Sequence, residues 1–263
     1  MSDPLQQIPG QASALQAHAD AFARDGFVVV RGFCPPPVWE RIRVEVLDAL
    51  DPLLGPAEFE AELGYPGAPA SRDASGGDTP RRLLHAYSRF PALRELVTGD
   101  RIRGYTQRLL GTETAYLSQC HHNCVMTKYP RFSSDTLWHQ DVRYWSFQRP
   151  ELVSFWLALG DEHERNGALK VIPGTHRQTF AADQLDTALF LRTEAPANRD
   201  LIAAASTVTL AAGDALFFHC RTFHAAGRNE TDQVKLSAVF TYYGGDNGPV
   251  SGSRSARYPG IRV

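Results

Sequence analysis

The hydrophobic pattern of the chain changes from a helical period to a strand-like period at about residue 114. Before that point, apolar residues recur at the three- and four-residue spacing of amphipathic helices, which predicts helices over 12–24, 38–50 and 91–110. The last of these is expected to break near Gly99. A continuous apolar run at 27–30 predicts a short buried strand between the first two helices.

After residue 114, short apolar runs alternate with turn signals such as Asn-Gly, Pro-Gly and Gly-Asp. Strands are predicted over 116–126, 137–141, 152–159, 169–172, 206–210, 215–219 and 234–243. Strands at this spacing are typical of an antiparallel sandwich or barrel, supported here by helices from the N-terminal half. The sequence therefore predicts a mainly β protein with supporting helices.

A polar segment rich in glycine and proline lies at 64–82. We interpret it as a loop within one domain, because the pieces that flank it are too short to fold alone. Its part at 71–82 is expected to act as a lid or to be a passive surface loop. The whole chain, 1–263, is predicted to be a single domain with 1–9 as a flexible tail.

Composition and charge exclude several classes of partner. The 263 residues carry a formal net charge of −2 without a basic stripe, which argues against nucleic acid and anionic membrane surfaces. We expect neither a membrane span nor a signal peptide, since the apolar runs are too short. The four cysteines are too scattered for a zinc ribbon, so free thiols in a reducing cytoplasm are expected. Oligomeric state leaves no signature in the sequence.

A Trp-His-Gln-Asp motif contains the first candidate metal ligands. On a strand, His139 and Asp141 would point to the same face and reach one ion, while Gln140 would point away. A third ligand is available downstream as either His219 or His224. Two imidazoles and one carboxylate form the facial triad of Fe(II) oxygenases, although zinc hydrolases use similar sets.

A cation interrupts the last predicted strand. Lys235 follows His224 by 11 residues and has apolar neighbours on both sides. A buried ammonium without a partner is costly, so an inward-facing Lys235 needs an anion. The distal carboxylate of a dicarboxylate co-substrate would serve, and the alternative is a strand-edge lysine whose amine lies in solvent.

Further blocks extend the metal motif into a pattern that covers most of the chain. They are DGFVVVRG at 25–32, WHQD at 138–141, NGALKVIPGTH at 166–176 and GDALFFHCRTFH at 213–224. In this order, and across about residues 20–243, they resemble the phytanoyl-CoA dioxygenase family. The resemblance implies a double-stranded β-helix core, which is a cupin-like jelly roll.

The resemblance also implies roles for the candidate residues. His139, Asp141 and His224 match the family's iron ligands, which favours His224 over His219. Lys235 stands where the family usually has the arginine that meets the distal carboxylate of 2-oxoglutarate. It keeps the charge of arginine but lacks the bidentate fork. Fe(II), 2-oxoglutarate and O2 are the implied cofactors.

The cavity contacts are assigned by the same resemblance and by position next to the metal motif. The expected co-substrate contacts, besides Lys235, are Gln140, Trp156, Met126 and Cys124. The expected substrate contacts are His122, Lys128, Arg143 and Tyr144. Three other histidines, His121, His163 and His176, are expected to be structural.

The implied activity is oxidation of a small organic molecule, with release of succinate and CO2. The presence of Asp141 argues for hydroxylation, because related halogenases lack this carboxylate. The first alternative is a cupin-like protein that binds metal and a carboxylate without oxygenase activity. A zinc hydrolase is the second, and it lacks an obvious general base beside either motif.

Overall fold

The structure, a computed structural model, describes residues 9–263. The predicted tail lies outside this range except for Pro9, which is the first residue of a helix. Within the range the helices are α1 (Pro9–Asp25), α2 (Pro36–Asp48), α3 (Ala86–Arg89), α4 (Pro91–Thr98), α5 (Asp100–Leu110) and α6 (Pro196–Ala203). Across these residues, no helix combines the length and apolarity that crossing a membrane requires.

Local sequence explains where several helices begin and end. Proline occupies the first turn of α2, α4 and α6, where its missing N–H breaks no helical hydrogen bond. Gly111 ends α5 with a left-handed backbone (φ 63°), which a residue without Cβ adopts readily. The predicted break near Gly99 is confirmed, because α4 and α5 meet there in an extended residue. The sequence pattern did not predict α6.

The strands form two antiparallel sheets. They are β1 (Phe27–Val30), β2 (Ala57–Phe59), β3 (Pro80–Leu84), β4 (Ala115–Leu117), β5 (Cys124–Lys128), β6 (Thr136–His139), β7 (Leu152–Ala158), β8 (Leu169–Val171), β9 (Ser206–Thr207), β10 (Ala215–His219), β11 (His224–Ala226), β12 (Lys235–Gly244) and β13 (Ile261–Arg262). The larger sheet has the order β1-β10-β7-β12-β5-β3-β2, and β4 joins β12 to β13. The smaller sheet has the order β6-β11-β8-β9. The prediction of a mainly β protein with supporting helices is confirmed.

The two faces of the larger sheet bury different layers. Because side chains alternate along a strand, Phe155 of β7 faces the helices while Trp156 faces the smaller sheet. On the helix side, Phe33 packs on Phe155 with ring centroids 5.2 Å apart, and Tyr105 stacks on Phe217 at 5.2 Å. Each fully buried phenylalanine contributes about 1.5–3 kcal/mol through removal of apolar surface from water. The layer between the sheets holds the polar groups described below.

Two predicted strands end earlier than the pattern indicated. The strand predicted over 116–126 is interrupted after Leu117 and resumes at Cys124, and between them His122 has a positive φ of 28°. Such a backbone cannot continue a strand. The strand predicted over 137–141 ends at His139, and Asp141 begins a 3-10 turn. Gln140 remains extended (φ −108°, ψ 136°), so the expected alternation of faces still holds.

The polar segment at 64–82 is a loop only as far as Thr79. Its last residues enter β3, which pairs with β5 and sets Arg82 opposite Met126. The prediction that 80–82 belong to a loop was wrong, because two consecutive arginines masked a strand that alternates between buried and half-buried positions. A lid function for the remaining 71–79 stays a prediction.

Candidate metal centre and co-substrate cavity

The smaller sheet brings two histidines face to face. Strands β6 and β11 pair in a register that sets His224 opposite His139, and their ring centroids are 4.3 Å apart. Asp141 follows β6 after one extended residue and turns back toward both rings. One ligand atom from each of the three lies within 4.8 Å of the others, and all three residues are buried.

Backbone carbonyls orient both imidazoles. His139 Nδ1 lies 2.8 Å from the carbonyl oxygen of Leu137, and His224 Nδ1 lies 3.0 Å from that of Thr222. A carbonyl only accepts, so Nδ1 carries the proton in each ring and Nε2 keeps a free lone pair. The Nε2 atoms of His139 and His224 lie 3.8 and 3.6 Å from Oδ1 of Asp141. The lone pairs therefore converge on one carboxylate oxygen.

The carboxylate of Asp141 is held on one side and open on the other. Ser154 Oγ on β7 donates to its Oδ2 at 3.0 Å, whereas the buried Oδ1 has no hydrogen-bond partner among the described residues. Burial alone would raise the pKa of Asp141, but His122, His224, His139 and the Ser154 hydroxyl together hold that pKa below its usual value. Burial also lowers the pKa of His139 to about 3. An ionised carboxylate faced by the Nε2 atoms of two imidazoles is the donor set that a divalent cation requires.

The other histidines do not join this cluster. His219 Nδ1 accepts from the backbone N–H of Arg221 at 3.1 Å, and its ring packs 5.4 Å from that of His176. His121 Nε2 forms a hydrogen bond of 2.7 Å with Ser255 Oγ. His163 is exposed. Of the two alternatives for the third ligand, the structure brings His224 to the cluster, and the expectation that the three other histidines are structural fits their positions.

His122 lies at the edge of the cluster. Its Nε2 is 3.6 Å from Oδ1 of Asp141, and its ring stands edge-on to Trp145 with centroids 5.3 Å apart. Burial lowers the pKa of His122 to about 4. A non-glycine residue with positive φ is strained, and here the strained residue places its imidazole in the cavity wall next to Asp141.

A cavity of about 420 Å³ opens between the sheets and reaches the triad. Pockets of this size hold small organic ligands. Most of the contact residues expected from the sequence form its wall, namely His122, Cys124, Met126, Lys128, Tyr144, Trp156 and Lys235. Along β5, Cys124 and Met126 pack toward the smaller sheet, whereas Val125 between them packs on the helix side.

Two expected contact residues lie outside the cavity wall. Gln140 points to the opposite face of its strand, where its amide donates to the carbonyl of Arg221. Arg143 lies in the turn after Asp141 and places its guanidinium 3.7 Å from the centroid of the Phe190 ring. It also donates to the hydroxyl of Tyr144 at 3.1 Å, so it supports a wall residue without facing the cavity. Neither side chain faces the cavity, and direct contacts of Gln140 and Arg143 with a ligand stay predictions.

Lys235 is buried and already has an anion. Its Nζ lies 3.1 Å from Oε2 of Glu162, and both side chains are at most 3% exposed. Ser237 Oγ and Trp156 Nε1 donate to Oε1 of the same carboxylate at 2.6 and 2.9 Å. The alternative of a strand-edge lysine in solvent is thus wrong. Glu162 was not among the expected residues, because it lies in a polar turn after β7 whose sequence shows no sign of burial.

A second buried lysine faces the cavity beside Lys235. Lys128 on β5 pairs with Lys235 in the strand register, and its Nζ donates to the carbonyls of Ser134 and Gly227 at 2.9 and 2.6 Å. Burial lowers the pKa of Lys128 to about 7, with Lys235 and Arg81 acting in the same direction.

Three charged residues of the N-terminal strands also line the cavity, namely Glu58, Arg81 and Arg82, and none of them was among the expected contact residues. Arg82 on β3 lies 3.4 Å from Oε1 of Glu58 on β2. Residues of β3 alternate between half-buried and buried positions, but the polar composition around the strand hides this alternation in the sequence.

Comparison with known proteins places the chain among oxygenases. The profile of the phytanoyl-CoA dioxygenase family (PhyH) matches residues 22–237. Ectoine dioxygenase of Halomonas elongata is 27% identical over 259 residues, covering 92% of this chain and 73% of that protein. The probable alpha-ketoglutarate-dependent hypophosphite dioxygenase of Stutzerimonas stutzeri is 22% identical, covering 73% of this chain and 70% of that protein.

Solved structures share the fold. The epimerase SnoN in complex with Fe3+, alpha-ketoglutarate and nogalamycin RO superposes with a TM-score of 0.72, at 21% identity and 96% coverage of both chains. EctD from S. alaskensis with 2-oxoglutarate and 5-hydroxyectoine gives a TM-score of 0.70 at 18% identity, covering 89% of this chain and 77% of EctD. The expected jelly-roll core is confirmed. The chain belongs to the phytanoyl-CoA dioxygenase family and is an iron- and 2-oxoglutarate-dependent dioxygenase.

Proposed function

We propose that the chain hydroxylates a small organic molecule at an Fe(II) ion held by His139, Asp141 and His224. The observation that carries this proposal is the buried Oδ1 of Asp141, which faces two imidazole lone pairs and has no hydrogen-bond partner among the described residues. Leaving such an oxygen unpaired in the interior is costly, and a bound cation would remove that cost. Two imidazoles and one carboxylate suit Fe(II) and leave neighbouring coordination positions open.

The chain's own residues would prepare the centre for this chemistry. Ser154 fixes the carboxylate of Asp141, and the carbonyls of Leu137 and Thr222 fix both imidazole tautomers. When bound, iron and 2-oxoglutarate would supply oxidation of a C–H bond by O2, with release of succinate and CO2.

Lys235 and Lys128 are the proposed partners of the distal carboxylate of 2-oxoglutarate. Both ammonium groups are buried in the cavity wall, on strands that pair directly. Three other wall residues, Trp156, Met126 and Cys124, would contact the carbon chain and exclude water. Arginine would offer two parallel hydrogen bonds at this place, and two lysines offer separate point charges instead.

The substrate would enter where the wall is polar and aromatic. Tyr144 is 39% exposed, and His122 lines the same cavity next to Asp141. Arg82 and Glu58 add one charge of each sign to the same cavity. These four residues form the proposed substrate-facing wall.

A reducing setting, the cytoplasm, is part of the proposal. The four cysteines, all within the described residues, are free thiols, and an Fe(II) centre would work in the same conditions.

The test is anaerobic reconstitution with Fe(II) followed by titration with 2-oxoglutarate, recording the visible charge-transfer absorption of the chelate. The wild type should develop this band, and His139→Ala should lose it. The control is His219→Ala, a histidine near the site that lies outside the cluster, and this variant should keep the band. Absence of the band in the wild type at saturating iron and 2-oxoglutarate would contradict the proposal.

A further inference from the structure

A buried carboxylate, that of Glu162, is already paired with Lys235, the lysine that the co-substrate needs as a free cation. Glu162 is 1% exposed and accepts from Lys235, Ser237 and Trp156 at 3.1 Å or less. These donors occupy both of its oxygens. Lys235 is therefore neutralised before any co-substrate arrives.

The main chain of Glu162 is held in place next to these donors. Its N–H donates to the carbonyl of Leu210 at 2.8 Å, and the N–H of Leu210 donates back at 3.0 Å. Because these two hydrogen bonds fix the main chain of Glu162, only its side chain can reorient. A distal carboxylate that approached Lys235 would consequently lie close to a second carboxylate, and like charges in a buried site repel strongly.

Lys128 supplies a second positive charge. It lies opposite Lys235 on the neighbouring strand, and no carboxylate of the described residues is within ion-pair distance of its Nζ. With 2-oxoglutarate bound, two lysines would face two carboxylates, namely Glu162 and the distal group of the ligand. The charges then balance, but Glu162 still competes for Lys235.

We infer that Glu162 determines the affinity for the co-substrate: it holds Lys235 in the free enzyme and must share it with the distal carboxylate of 2-oxoglutarate. The inference rests on the proposed function, because it assumes that the dicarboxylate binds at Lys235. Glu162 acts through Lys235, so it is a positioning residue that lowers affinity for the ligand. Its loss should tighten binding of 2-oxoglutarate and destabilise the ligand-free protein.

The experiment compares Glu162→Gln with the wild type, both loaded with Fe(II) without oxygen. Glutamine keeps an acceptor for Trp156 and Ser237 but removes the charge. We expect the Kd for 2-oxoglutarate, from the charge-transfer titration, to fall by about tenfold, the scale of a lost charge contact in a buried site. The Kd for 2-oxobutyrate, which lacks the distal carboxylate, should not change.

The matched control is Glu164→Gln, the same substitution two residues away. Glu164 pairs with Lys170 at 2.7 Å on the surface, and its side chain is 69% exposed. Its loss should leave both Kd values unchanged. Thermal unfolding gives a second measure: without ligand, Glu162→Gln should melt below the wild type, and saturating 2-oxoglutarate should raise its Tm more than that of the wild type.

A double variant, Glu162→Gln with Lys235→Met, removes both charges and keeps the test valid if the single variant unfolds. It should melt above Glu162→Gln and bind 2-oxoglutarate more weakly than the wild type. Unchanged or weaker binding by Glu162→Gln alone would overturn the inference while the wild-type band upheld the proposed function. Absence of the band in every protein, the wild type included, would overturn both.

Discussion

His139 and His224 lie directly opposite each other on adjacent antiparallel strands, with ring centroids 4.3 Å apart. The register of the two strands shifts between this pair and the next one, Ala226 opposite Thr136. Two rigid strands thus hold two ligands without help from a mobile loop. Asp141 is the only member of the cluster that leaves the sheet.

Removal of either imidazole should abolish tight metal binding. In His139→Ala or His224→Ala, the remaining carboxylate and single imidazole cannot form a three-donor site. Loss of a group that only orients a metal ligand raises the Kd for the metal by about 10–100-fold. Because a ligand itself is lost here, we expect the Fe(II) Kd to rise by more than that. Anaerobic equilibrium dialysis measures this change. The variant His219→Ala is the control, and equal loss of metal in that variant would contradict the assignment of His224.

The hydroxyl that holds Asp141 should tune the metal affinity. In Ser154→Ala, Oδ2 of Asp141 loses its donor at 3.0 Å, and the carboxylate is free to rotate. We expect the Fe(II) Kd to rise by about 10–100-fold, measured by the same dialysis. Ser88→Ala, which removes an exposed hydroxyl bonded to the carbonyl of His85, should have no effect. A metal affinity in Ser154→Ala equal to that of the wild type would show that the hydroxyl does not orient the ligand.

Local alternation predicted two of the three ligands, and the choice of His224 as the third came from the family resemblance. His139 and Asp141 share a face because Gln140 is extended, although a regular strand ends before Asp141. The same rule explains why Cys124 and Met126 face the cavity while Val125 faces the helices. The rule fails where the backbone is irregular, as at His122, whose positive φ separates two strands that the hydrophobic pattern merges.

Long-range partners could not be predicted from local pattern. The carboxylate of Glu162 and the ammonium of Lys235 are 73 residues apart, and a charged residue in a turn normally faces solvent. The sequence did indicate that a buried Lys235 needs an anion, but several acidic residues satisfied that condition equally. Only the packing of β7 against β12 selects Glu162.

Gly26 lies so close to His176 and Thr222 that a larger residue at this position should destabilise the fold. Gly26 has a φ of 83°, and an added Cβ would lie 2.4 Å from Nδ1 of His176 and 2.6 Å from Oγ1 of Thr222. We expect Gly26→Ala to lower the free energy of unfolding by about 1–2 kcal/mol for the left-handed backbone, plus about 1–3 kcal/mol for overpacking. Urea denaturation measures both contributions together.

The control for Gly26→Ala is Gly32→Ala. Gly32 also has a positive φ, 57°, but no atom lies within 4 Å of an added Cβ. This variant should lose only the backbone contribution, about 1–2 kcal/mol. Equal losses in the two variants would mean that the contacts of Gly26 with His176 and Thr222 relax without cost.

Lys128 gives the co-substrate site its expected pH dependence. Burial, then Lys235 and Arg81, lower the pKa of its ammonium to about 7, while Glu60 and Asp135 act in the opposite direction. Below pH 7 the group is charged and attracts a dicarboxylate, and above pH 7 it becomes neutral. The acid groups of 2-oxoglutarate stay ionised throughout this range, so the change of its affinity with pH is set by the charge of Lys128.

The affinity for 2-oxoglutarate should therefore fall as the pH rises above 7. The expected increase in Kd is up to about tenfold per pH unit, which is the limit for one linked proton. The measurement is the anaerobic charge-transfer titration at a series of pH values from 6 to about 9. Lys128→Arg keeps its charge at every pH and should remove the dependence, whereas Lys128→Met should remove it and weaken binding at pH 6. An unchanged pH profile in Lys128→Arg would assign the proton to another group.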